Sequence, residues 1–139
     1  MRFQLTTLLA ATAVLSAPIE PAEVEPVSLI ARGVVAPNQS TCSGYRDAFV
    51  NIGTSAFKVT IGREYLGGGR CPELKAKVGK HFDLKGFRCS GANGNKNTVI
   101  AMTSNMDADN LANVNKALKA AYPEINFSCP TKSSAITTK

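Results

Sequence analysis

Four cysteines, Cys42, Cys71, Cys89 and Cys129, constrain this 139-residue chain more than any other feature. An even number of cysteines, all within the last two thirds or so of a short chain, implies two disulfides formed on an oxidising route. A zinc site is the rival reading. It needs C-x-x-C pairs or suitably spaced histidines, and the sequence has no C-x-x-C and a single histidine, His81. No metal and no cofactor are therefore expected. Four cysteines allow three pairings, so the choice among them rests on the order of the elements around them.

The N-terminus fits the same compartment. Arg2 precedes an uncharged stretch from Leu5 to Leu15, and the small pair Ser16-Ala17 follows it. That order is the charged, apolar and small-residue sequence of a secretory signal, and the run is shorter than the roughly 20 residues that cross a bilayer. Residues 1–17 are read as a signal peptide. Residues 18–32 change character, with three prolines and with Glu20, Glu23 and Glu25, and read as a pro-segment or linker. Leu29-Ile30-Ala31-Arg32 offers a processing site that would leave Gly33 first; an uncleaved tail is the alternative. Residues 33–139 form a single domain, and the expected location is secreted and extracellular.

The whole chain has 16 basic and 10 acidic residues; without residues 1–32 it has 14 and 7, a net charge of +7. Such a charge favours anionic surfaces such as wall polymers, lipid head groups or nucleic acid, without choosing between them. Two N-x-[ST] sequons, at Asn38 in an expected loop and at Asn126 in an expected strand, are candidate glycosylation sites.

Along the domain, Phe57, Val59 and Ile61 alternate with Lys58 and Thr60 over Ala56 to Ile61, the period of a half-buried strand. Tyr45 to Ile52 is expected to be extended before it, although a short helix fits Tyr45 to Val50 as well. After Gly67-Gly68-Gly69, Pro72 opens a helix running to about His81, with Leu74, Val78 and Phe82 toward the core and Lys75, Lys77 and Lys80 toward water. Phe87–Ser90 and Thr98–Thr103 read as strands around Asn93-Gly94, a strong hairpin signal. Asp107 caps a helix carrying Leu111, Val114, Leu118 and Tyr122 at helical spacing, ending before Pro123. Ile125–Cys129 alternates again as a last strand, and Thr131–Lys139 reads as a frayed polar tail.

The resulting fold class is α+β: a two-layer βαββαβ sandwich, ferredoxin-like in order, with an antiparallel sheet carrying two helices on one face. Pairing the last strand beside the first brings Cys129 to Cys42, which leaves Cys71 for Cys89.

No catalytic constellation emerges. Small secreted fungal ribonucleases match the size, charge and cysteine count, but RNA cleavage normally uses a general acid with a general base, and His81 stands alone. In that alternative His81 would act with Glu64 or Glu73, while Arg63, Arg70 or Arg88 held a phosphate. Asp107 and Asp109 are explained as a helix cap and a dipole partner rather than as paired catalytic acids. The glycine run before Arg70 lacks the Lys-Ser/Thr of a phosphate-binding loop, and no serine sits in G-x-S-x-G. Tryptophan is absent, and Phe57, Phe87 and Phe127 fall on core positions, so nucleic acid is not the expected partner. Arg63, Arg70 and Arg88 remain as a candidate basic binding patch.

The signal, the pro-segment ending at Arg32, the four cysteines and the βαββαβ order over Cys42 to Cys129 together resemble a family of small fungal secreted proteins. These share the alpha/beta sandwich of the smut-virus toxin called killer protein six. The resemblance implies an effector or toxin-like protein of the apoplast with a role in virulence, acting by binding rather than catalysis. Its target would be an anionic wall or membrane-surface component or a host protein. A wall-associated polyanion-binding protein is the further alternative.

Overall fold

A computed structural model describes residues 34–46 and 53–138. The signal peptide, the pro-segment and Asp47 to Ile52 lie outside the described residues. The elements are β1 (Ser40–Arg46), β2 (Thr54–Ile61), α1 (Cys71–Gly79), β3 (Leu84–Ala92), β4 (Asn97–Asn105), α2 (Ala108–Ala121) and β5 (Thr137–Thr138). They form one sheet in the order β3-β4-β2-β1-β5, antiparallel throughout except for the parallel β1/β5 pair.

Strand alternation builds the core. In β2, Ser55, Phe57, Val59 and Ile61 point to one side and are buried, and β4 matches them with Thr98, Ile100, Met102 and Ser104. Burying an alkyl or aromatic side chain in this layer contributes roughly 1.5–3 kcal/mol. Both helices close over that side. Leu74 and Val78 of α1, Phe82 just beyond it, and Leu111, Val114, Ala117 and Leu118 of α2 join the strand residues in one cluster. The Phe82 ring meets Phe57 edge-on, with centroids 5.9 Å apart at 76°. Asp107 caps α2 by accepting the Asn110 N–H at 2.8 Å. The β3/β4 hairpin turns through Asn93, Gly94 and Asn95, all with positive φ, as the Asn-Gly signal predicts.

The fold is thus α+β with two helices on one sheet face, and the disulfides join Cys42 to Cys129 and Cys71 to Cys89. Three elements differ from the sequence reading. Ile125–Cys129 is not a strand. Its last residue gives its backbone to α2: the Cys129 N–H donates to Asn115 Oδ1 at 2.8 Å, and Asn115 Nδ2 donates to the Cys129 carbonyl at 3.1 Å. The place beside β2 is taken by β1, which starts earlier than the predicted Tyr45 and pairs along its whole length. The third difference is the tail. Ile136 is 5 % exposed, Arg46 Nη2 donates to the Ser133 carbonyl at 2.9 Å, and Thr137 and Thr138 pair with Tyr45 and Arg46. One buried isoleucine and a short parallel bridge hold a segment whose composition reads as solvated.

Candidate functional site

Because both helices lie on one side of the sheet, its other side is left to the residues of opposite parity. Three cross-strand rows make it up. In the order β3, β4, β2, β1 they read Gly86, Thr103, Ala56, Tyr45; then Arg88, Ala101, Lys58, Ser43; then Ser90, Val99, Thr60, Thr41. Most of these side chains are small, so the face holds a shallow groove of about 1060 Å³. Arg88 and Lys58 stand in the same row on either side of Ala101, about 10 Å apart at their Cα atoms from the strand spacing. Neither cation has an acid partner among the described residues, and none of these strands puts an acid on the face. Tyr45 borders the groove at the β1 end, and burial raises its phenol above the usual value.

The structure separates the three arginines of the predicted basic patch. Arg63 and Arg70 share a different pocket of about 550 Å³ with Glu64, Lys96 and Leu66, at the end of the sheet where α1 begins. Both have partners there. Arg63 is ion-paired with Glu124, its carbonyl accepts from Thr98 Oγ1 at 2.9 Å, and its Nε is buried without a bond. Arg70 lies over the Tyr122 ring, 5.2 Å from its centroid, and 3.9 Å from Glu73. Glu73 is held below the usual carboxylate range first by a hydrogen bond from Lys77, then by the charges of Lys77 and Arg70. Glu124 is lowered first by its own backbone N–H and then by Arg63. With Glu64, Glu73 and Glu124 around it, this pocket is close to charge-balanced, whereas the Lys58/Arg88 face is not.

His81 lines a third groove, of about 520 Å³, with Lys116, Lys119, Asn115, Asn126 and Phe127. The acids and the arginine considered as its partners lie elsewhere. Glu64 is in the Arg63 pocket, Arg88 is on the far side of the sheet, and Glu73 is eight residues back along the chain, about 12 Å at helical rise. Among the described residues no group of three or more His, Cys, Asp or Glu side chains is placed to hold a metal ion.

Both sequon asparagines are exposed, Asn38 in a turn at φ 62° and Asn126 in the irregular segment after α2 rather than in the expected strand. Ser40, the third residue of the first sequon, donates from Oγ to the Asn126 carbonyl at 2.8 Å, so the two sequons are neighbours. Lys119 Nζ donates to Asn126 Oδ1 at 3.2 Å. The sequence reading missed Lys58 as a site residue, although its place opposite Phe57 and Val59 in the alternation already puts it on the face away from the core.

Comparison with protein-family models, with curated proteins and with solved structures finds no match. Among the described residues, no helix is long and apolar enough to cross a membrane.

Proposed function

We propose that the protein is secreted and acts outside the cell as an effector or toxin-like binding protein, engaging an anionic wall or surface component or an acidic face of a host protein. The observation that carries this reading is the set of cations without acid partners. Lys58 and Arg88 on the open sheet face, and Lys75, Lys80 and Lys116 around the helices, have no ion pair among the described residues. Such charges cost self-repulsion in the folded state and raise the rate and strength of association with an anionic partner. The two disulfides support the extracellular part of the reading, since such bridges persist on an oxidising route. Glycans on Asn38 and Asn126 would sit side by side at the β1 end of the molecule.

The test is binding of the purified secreted protein to wall preparations and to immobilised anionic polymers over a salt series. Retention at low salt that falls steadily as ionic strength rises is expected, because screening shortens the reach of exposed charges to about 8 Å at physiological salt. Retention should also drop in the Lys58→Glu/Arg88→Glu chain. RNA degradation abolished by His81→Ala would replace this reading with the ribonuclease one.

A further inference from the structure

The uncompensated cations of the open sheet face and the acidic chain that precedes the domain are complementary. We propose that residues 18–32 dock across this face, setting Glu20, Glu23 and Glu25 against Lys58 and Arg88, and that cleavage after Arg32 uncovers it.

Three observations converge. The first is where the described chain begins. The Val35 N–H donates to Asn97 Oδ1 at 3.2 Å, and Asn97 Nδ2 donates back to the Val35 carbonyl at 2.8 Å. Asn97 opens β4 with the parity of Val99 and Ala101, so the described chain begins at one end of the open face and not among the helices. Residues 36–39 are strapped there, with the Asn38 N–H on the Gly62 carbonyl at 3.1 Å and the Gly62 N–H on the Gln39 carbonyl at 2.9 Å.

The second is reach and room. Ala101, between Arg88 and Lys58, is four residues along β4 from Asn97, about 13 Å. Glu25 precedes Val35 by ten residues, which span up to about 35 Å when extended. Gly86, Ser90, Ala56 and Ala101 leave the groove shallow enough along its length for an extended segment, and Pro18, Pro21 and Pro26 favour extended backbone before them. The third is charge. Residues 18–32 hold three glutamates and one arginine, and among the described residues the strands give the face two cations and no acid. The helices, with Lys75, Lys116 and Lys119, lie on the opposite side of the sheet from this face. The proposal does not depend on what the processed domain binds.

Zero-length carbodiimide coupling tests it, on a chain beginning at Pro18 and carrying Arg32→Gln to prevent cleavage. Peptide mapping should find Lys58 coupled to Glu20, Glu23 or Glu25. Acetylation of Lys58 should be several-fold slower than in the same chain with all three glutamates changed to glutamine, with Lys132 as an unchanged reference; intact disulfide masses check that both chains share one fold. Coupling to Lys75, Lys116 or Lys119 in place of Lys58, or equal acetylation in the two chains, would overturn the proposal. So would coupling of Lys58 to a glutamate of another molecule in an isotopically mixed sample, which would give the face to a second copy.

Discussion

Asn110, in the first turn of α2, is 8 % exposed and spends its side chain on three partners. Its Oδ1 accepts the Asp83 N–H at 2.9 Å, and its Nδ2 donates to the Asn105 carbonyl at 3.1 Å and to Ser104 Oγ. The amide thereby ties the helix to the end of β4 and to the turn before β3. Truncation leaves the Asp83 N–H and the Asn105 carbonyl short of a partner, each orphaned group costing roughly 1–3 kcal/mol. Asn110→Ala is expected to lower stability by about 2–3 kcal/mol in urea unfolding; a change under about 0.5 kcal/mol, the usual range for surface substitutions, would show that water replaces the amide. Tyr122 makes a pH prediction at the same scale. Burial raises its phenol above 10.0, and the nearby Arg70 charge only partly opposes this. An acid whose folded pKa is raised favours the native state while it is protonated. That contribution is complete below about pH 10 and is lost as pH rises through the folded value. Urea midpoints should therefore fall above about pH 10, and Tyr122→Phe should flatten that limb.

At the level of elements, Gly62 decides how the strap at residues 36–39 lies on the sheet. A Cβ on Gly62 would fall 1.8 Å from the Ala36 carbonyl oxygen, so no side chain fits without moving backbone. Gly62→Ala is expected to release the strap and to cost roughly 1–3 kcal/mol, as overpacking commonly does. Amide exchange should speed up at Asn38 and Gly62 while Phe57 and Met102 stay protected; uniform loss of protection would instead mean that the strap is part of the core. This strap was not legible in the sequence, because its bonds link residues that are distant along the chain and carry no pattern. The elements with a period were legible. Phe57, Val59 and Ile61 mark β2, Leu111, Val114 and Leu118 mark α2, and Asn93-Gly94 marks the hairpin, since each records burial or turn geometry directly. β1 was half missed because Ser-Thr-Cys-Ser-Gly-Tyr-Arg has no apolar alternation. Its strand comes from pairing with β2 and from Gly44, where a Cβ would meet Pro130 at 2.6 Å. Ile125–Cys129 misled in the other direction. It alternates because Ile125 and Cys129 face the core, but Asn115 takes the backbone bonds that a neighbouring strand would have made. Of the candidate patch, Arg88 was legible as a cation on a strand. Its separation from Arg63 and Arg70 was not, because it depends on which side of the sheet each element presents.

Across the whole molecule the two disulfides hold different things. Cys71–Cys89 joins the start of α1 to β3 over 18 residues, within one helix-strand unit. Cys42–Cys129 spans 87 residues and joins β1 to the segment that leaves α2, so it ties the first described strand to the last third of the chain. In the chain-entropy account a loop of the first length restricts the unfolded ensemble by about 3 kcal/mol and one of the second by about 4–5 kcal/mol. A domain of this size has roughly 5–15 kcal/mol of net stability, so losing the longer bridge removes a large part of it. Cys42→Ala/Cys129→Ala is expected to lower the unfolding free energy measured in urea further than Cys71→Ala/Cys89→Ala, by a margin of about 1–2 kcal/mol. The order should hold because the Asn115 bonds to Cys129 still keep that segment in place in the native state. The alternative is that the short bridge matters more, as it would if α1 docks on the sheet chiefly through Cys71. In that case the Cys71/Cys89 pair would be the more damaging one to remove. Helix content by circular dichroism would then fall along with the midpoint.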